Sequence, residues 1–305
     1  MTDLLIIGAG PAGLTAAIYG LRGGLKVMVL KGPYGLGQLA LTNDVENFPG
    51  FIEPLSGFEI MDKMEKQAVR LGAEFITETV ESIDASKRPF TVKTDAGAYE
   101  AKAIIVATGS HARWLGIEGE KEYRGRGVSA CATCDGFFFK GKDVVVVGGG
   151  NTAFEDALFL SKICKSVTLV HRRDEFRAAQ RTIEIVKAEP KIKMKLFYVA
   201  EKVEGDVLGV TGLKIRNVND NSVETLPCQG IFVAVGGVPQ TDFLKSAGVE
   251  LLPGGQVKVN ERCETNIPGL YAAGDCADAH FRQAIIAAGT GAKAAVEAIN
   301  HINLN

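Results

Sequence analysis

The sequence predicts an α/β protein built from two nested copies of one strand–turn–helix unit, and three observations carry that prediction. The run "LLII" (Leu4–Ile7) leads into "GAGPAG" and then the helical pattern "LTAAIYGLR", which Gly23 and Gly24 stop. The same order returns at "DVVVV" (Asp143–Val147), "GGGNTA" and "FEDALFLSK". Buried-strand patterns ending in small-residue turns follow: "AIIVATG" (Ala103–Gly109), "GIFVAVGGVP" (Gly230–Pro239) and "GLYAAGDCA" (Gly269–Ala277).

Gly8, Gly10 and Gly13 have the dinucleotide fingerprint spacing. The first glycine allows a tight turn, the second admits a pyrophosphate to the backbone, and the third lets helix and strand pack closely. Gly148, Gly150 and Ala153 repeat the spacing, with an alanine still small enough for the third place. Each helix amino end then offers unpaired N–H groups to phosphates. One such turn also occurs in α/β proteins that bind no nucleotide, but two, each set between strand and helix, predict two Rossmann-like dinucleotide-binding domains. The simplest organisation inserts the second into the first. The discontinuous outer domain takes residues 1–113 and 240–305, and the inner domain takes 114–239. The connections "RWLGIEG" and "GGVPQTDF" would form a hinge. Near the end, "FRQAIIAAGTGAKAAVEAI" predicts a helix whose alanines and glycines pack tightly against something flat.

The end of each unit's second strand indicates which dinucleotide binds. In the inner unit "SVTLV" (Ser166–Val170) runs into His171, Arg172 and Arg173, with Arg177 a turn later, where an NAD site carries an acidic residue. Guanidinium forks suit a phosphate. Each charge-assisted bond contributes about 1.5–3 kcal/mol, so two favour NADPH over NADH by roughly a hundredfold or more. The competing reading is a solvated basic helix start. The outer strand "KVMVL" ends at Leu30 and Lys31 with neither an acid nor an arginine pair, and Asp275 at the end of "YAAGD" suits a flavin's ribityl or pyrophosphate region. Its alternative, compatible with the first, is to cap the following helix. The outer unit is therefore expected to hold FAD and the inner unit NADPH.

Hydrophobic residues make up 46% and charged residues 23% of the 305, the profile of a soluble globular protein with a substantial core. A net charge of −2 provides no basic field for nucleic acid or an anionic membrane. "MTDLLIIGAG" does not read as a signal peptide, and no apolar run approaches the roughly 18 residues of a membrane span, so the cytoplasm is the expected location. Of six cysteines only Cys131 and Cys134, in "SACATCDG", are close in sequence. Such a pair can bind a metal, staple a loop, or open and close as a redox disulfide.

In order, in spacing and over essentially the whole chain, "GAGPAG", "VENFPG", "ATG", "SACATCDG", "GGGNTA", "HRRDEFRA" and "AAGD" followed by "FRQA" resemble the low-molecular-weight thioredoxin reductases. "SACATCDG" is the most specific element, since other pyridine-nucleotide disulfide reductases carry their cysteine pair in the FAD domain. The resemblance implies a homodimer in which NADPH reduces FAD, FAD reduces the disulfide, and the dithiol reduces thioredoxin or a similar small disulfide carrier. It also implies alternation between two domain arrangements. Cys134 would be the cysteine nearer the flavin, Cys131 the one that attacks the partner, and Asp135 the acid. Flavin contacts are implied at Gly8, Gly10, Pro11, Ala12, Gly13, the Lys31–Gln38 loop with Lys31, Gly37 and Gln38, Asn47, Val80, Thr108, Gly109, Gly274, Asp275, Arg282, Gln283 and Ala284. NADPH contacts are implied at Gly148, Gly150, Asn151, Thr152, Ala153, His171, Arg172, Arg173 and Arg177. Leu36 stands where many relatives have glycine, "GIEGE" lacks the usual proline, and Gly237 replaces a polar or basic residue.

The residues suit that chemistry. A disulfide takes the two electrons of a hydride passed through a flavin. Cysteines three apart meet at a helix start, where the thiolate is favoured. Asp135 could donate the proton, although Asp-Gly is also a frequent turn pair. A zinc site needs four ligands, and His111, His171, His280, His301 and the remaining cysteines are scattered. A permanent staple across so small a loop constrains the unfolded chain little. Related flavin-dependent disulfide reductases or oxidases use ferredoxin, oxygen or another small carrier; the intact "GGGNTA" and "HRRDEFR" argue for NADPH. A nucleotide-binding protein without turnover would be expected to lack a cysteine or the Asp275 turn.

Overall fold

The computed structural model describes residues 1–32, 35–42, 45–278 and 280–304. The chain divides into two compact units, Met1–His111 with Val238–Asn305, and Ala112–Gly237.

The first unit is α/β. Its strands β1 (Thr2–Ile7), β2 (Val27–Leu30), β3 (Glu74–Ile76), β4 (Val80–Asp84), β5 (Phe90–Thr94) and β6 (Ala98–Val106) lie in the order β3-β2-β1-β6-β5-β4. From β3 to β6 the pairing is parallel, and from β6 to β4 it is antiparallel. The strand Leu270–Ala272 pairs parallel with the end of β6, Ile104–Val106. Helix α1 (Pro11–Arg22) follows β1, and α2 (Gly57–Arg70) is started by a capping box between Ser56 and Glu59. Alternation along β1 and β6 decides the layers, because both sheet faces are covered. Leu4, Ile6, Ala103 and Ile105 pack with α1 in one cluster, whereas Leu5, Ile7, Ile104 and Val106 pack with Phe90, Leu244 and Val257 in the other.

The carboxy-terminal helix runs Ala284–Leu304, so Phe281, Arg282 and Gln283 precede it rather than forming its first turn. Its small residues serve a helix as well as the sheet. A Cβ at Gly291 would collide with the Ala12 carbonyl on α1, and Gly23 lies against Ile299.

The second unit places five parallel strands in the order Ile192–Leu196, Ser166–His171, Asp143–Val147, Gly230–Val233, Val128–Ser129. Val144 and Val146 face the helix Asn151–Ser161. Val145 and Val147 face an antiparallel sheet of Tyr198–Asp206, Gly209–Asn217 and Val223–Pro227. Arg172–Ala179 is an irregular loop, because the next helix begins only at Gln180. The competing reading of "HRRDEFR" as a basic helix start is therefore not what the structure shows.

Candidate active site

In the first unit the fingerprint glycines meet separate demands. Gly8 has φ +110°, and a Cβ there or at Gly13 would collide with the carbonyl of Ala107 or Gly8. Gly10, the residue before α1, faces open space, and no side chain caps that helix end. The turn is therefore a cradle that a Cβ at Gly10 would fill, with N–H groups directed into it, a fit for a pyrophosphate.

Other expected flavin residues gather at this turn. Gly37 approaches Gly10, its Cβ position lying 3.3 Å from the Gly10 Cα. Gly274, at φ +74°, sits against Ala12 and donates its N–H to Thr290 Oγ1 at 3.0 Å. The neighbouring Asp275 has its pKa pushed up to about 6, chiefly by burial, with Arg282 pulling it down and Asp278 raising it. Asp275 lies well before Ala284, so it does not cap the terminal helix. Asn47 Nδ2 donates to Gln283 Oε1 at 3.2 Å.

Three further expected contacts also bond within this unit. Thr108 Oγ1 donates to the Gln240 carbonyl at 2.6 Å, Gln38 Nε2 lies 2.9 Å from His111 Nδ1, and Lys31 Nζ pairs with Glu65 at 2.6 Å. Val80 packs at the start of β4 against the cluster holding Leu30, and Gly109 takes φ +71°. Pro33 and Tyr34 of the Lys31–Gln38 loop lie outside the described residues.

The second unit repeats the cradle. Ala153 packs under Gly148, Gly150 faces open space, and no side chain caps the helix Asn151–Ser161. Arg172, Arg173 and Arg177 are exposed, as are Asn151 and Thr152. His171 lies against Gly149, with Nε2 3.1 Å from the Glu175 carbonyl. Burial lowers its pKa, assisted by the three arginine charges and opposed by that hydrogen bond. Asp156 in the same helix is pushed up to about 7 by burial and, secondarily, Glu155; nothing in the structure assigns it a role.

Cys131 and Cys134 are joined as a disulfide at the start of the short helix Ala132–Asp135. The Cys134 N–H donates to Cys131 Sγ at 3.2 Å, and Thr133 Oγ1 lies 3.5 Å from the same sulfur. Both contacts favour negative charge on Cys131 once the bond opens. Asp135 has a raised pKa, caused by burial and offset in part by the Ser129 hydroxyl. Cys164, Cys228, Cys263 and Cys276 are buried free thiols, and no metal-binding cluster occurs among the described residues.

The pyridine nucleotide-disulphide oxidoreductase family matches residues 2–291. The chain belongs to this family. A curated thioredoxin reductase from Rickettsia conorii is 46% identical over 305 residues, spanning 99% of this chain and 98% of that protein. One from Streptomyces coelicolor is 48% identical over 299 residues, spanning 97% and 92%. A solved thioredoxin reductase from Giardia duodenalis superposes with a TM-score of 0.94 at 42% identity, covering 99% of each chain. Within the oxidoreductase family the chain therefore falls among the thioredoxin reductases, and readings with another electron donor or acceptor are not favoured.

Two residues near this oxidoreductase's sites escape motif reasoning. Ser129 Oγ accepts the Cys131 N–H at 3.0 Å and donates to the Cys131 carbonyl at 3.3 Å, fixing the loop before the disulfide. Glu65 reaches the end of β2 from α2, where no spacing rule links it to Lys31. The serine beside the cysteine pair offered a faint signal, and the glutamate offered none.

Proposed function

We propose that the chain is an NADPH-dependent thioredoxin reductase in which the first unit binds FAD, the second binds NADPH, and the Cys131–Cys134 disulfide serves a thioredoxin or a similar small disulfide carrier. The observation that carries this reading is the disulfide, seated on a helix start with a backbone donor aimed at Cys131 and a half-buried carboxyl beside it. The flavin supplies the two-electron relay between nicotinamide and disulfide.

The open cradles at Gly10 and Gly150 support one dinucleotide in each unit. The exposed arginines after Ser166–His171 support a 2′-phosphate in the second. Opening the disulfide takes up two electrons and two protons. The Cys131 thiolate then attacks the carrier's disulfide. Cys134 resolves the mixed disulfide, re-forming the internal bond and releasing the carrier as a dithiol. Asp135 holds a proton beside the pair for the departing thiolate. Phe137 and Phe138, 64% and 50% exposed, offer the carrier an apolar face next to the disulfide. Leu41, Ile52 and Phe58 are also exposed in the first unit, which supports a homodimer. No helix among the described residues is long and apolar enough to cross a membrane.

Single-cysteine variants test the roles. Cys134→Ser, reduced and mixed with an oxidised thioredoxin, is expected to form a stable mixed disulfide through Cys131, detected by mass spectrometry. Cys131→Ser is expected to trap little. Trapping only by Cys131→Ser would reverse the assignment.

A further inference from the structure

We infer that Asn151 is a positioning residue for nucleotide selection, its side chain tying the arginine loop to the phosphate turn of the second unit. The inference rests on the NADPH reading of that unit and deepens it. The first residue of a fingerprint helix is an obvious pyrophosphate contact, but here the Asn151 acceptor is already occupied. Its Oδ1 takes the Ala179 N–H at 2.9 Å, and only an acceptor suits that donor.

A second tie lies beside it, where the Arg177 N–H donates to the Gly149 carbonyl at 2.9 Å. A third comes from the His171 ring, which occupies the space a side chain at Gly149 would take. Arg172, Arg173 and Arg177 thus sit on an irregular loop fastened to the turn at its start, at Arg177 and at Ala179. The loop has no helical bonds of its own, so these ties hold its guanidinium groups in place before a 2′-phosphate arrives. A loop ordered beforehand loses less entropy on binding. Of the two hydrogen-bonded ties, only that of Asn151 comes from a side chain of the turn. A nucleotide with a 2′-hydroxyl makes no use of the arginines, so the tie discriminates between NADPH and NADH.

Steady-state kinetics of the flavin-loaded enzyme with each nucleotide test this in the wild type, Asn151→Ala and Asn151→Asp. Loss of one tie is expected to raise KM for NADPH about 5- to 10-fold in Asn151→Ala, with KM for NADH changed by less than about twofold and kcat nearly constant. Asn151→Asp keeps an acceptor for Ala179. Its added charge opposes NADPH, with its extra 2′-phosphate, more than NADH, so its NADPH-to-NADH preference should fall below that of the wild type but stay above that of Asn151→Ala. Equal KM increases for both nucleotides in Asn151→Ala would identify a direct pyrophosphate contact and overturn the inference, as would an unchanged preference. A wild type without NADPH preference, or one indifferent to Arg172→Ala and Arg173→Ala, overturns the NADPH reading itself and the inference with it. The flavin content and Tm of each variant serve as the folding control.

Discussion

The disulfide's immediate neighbours divide the labour by their surroundings. Cys131 Sγ receives a backbone N–H, which stabilises charge on that sulfur, while Asp135 is held toward its neutral form by burial. A carboxyl with a raised pKa keeps its proton to higher pH. The acid it supplies is fully present below that pKa and is lost as pH rises through it. In Asp135→Asn, a pH–rate profile of thioredoxin reduction should lack this limb, and turnover should fall by about 10²-fold or more. An unchanged profile would reduce Asp135 to a turn residue. The Cys131–Cys134 pairing was legible because these are the two cysteines that lie close in sequence, whereas the acid role of Asp135 rested mainly on resemblance. Glu65 was not legible, since its partner Lys31 lies far away in sequence and tertiary packing alone brings them together.

Each dinucleotide turn is an element in which steric demands differ by position. Gly13 abuts a carbonyl, whereas Gly10 faces open space with φ −75°, which alanine also adopts. Gly13→Ala should therefore destabilise the protein by about 1–3 kcal/mol through overpacking, read as a lowered Tm. Gly10→Ala should keep the Tm of the flavin-free protein yet lose flavin, because its methyl group enters the cradle. Equal effects on stability would mean that the cradle does not face a ligand. Strands such as Leu4–Ile7 and Asp143–Val147 were legible because burial on both faces leaves a continuous apolar run. The Arg172–Ala179 loop resisted the same reasoning. Its order comes from ties to Gly149 and Asn151, and neither bond leaves a periodic trace.

At the scale of the whole molecule, the chain leaves its first unit after His111 and re-enters it at Val238, close to where the glycine-rich patterns change character. Within the first unit the Gln240 N–H reaches the Gly109 carbonyl at 3.1 Å, and within the second the Arg113 N–H reaches the Gly236 carbonyl at 3.0 Å. Each unit therefore closes its own ends. The three-stranded antiparallel sheet of residues 198–227 left a weak signal, since its alternation is diluted by charged residues on one exposed face. In the proposed function, electrons entering on NADPH reach both a flavin and the Cys131–Cys134 bond. Anaerobic titration of the flavin-loaded enzyme with NADPH, followed by the flavin's visible absorbance, tests this most directly. Complete reduction is expected to consume about two hydride equivalents per flavin, since flavin and disulfide each take two electrons. An end point at about one equivalent would place the disulfide outside the electron path and overturn the proposed function.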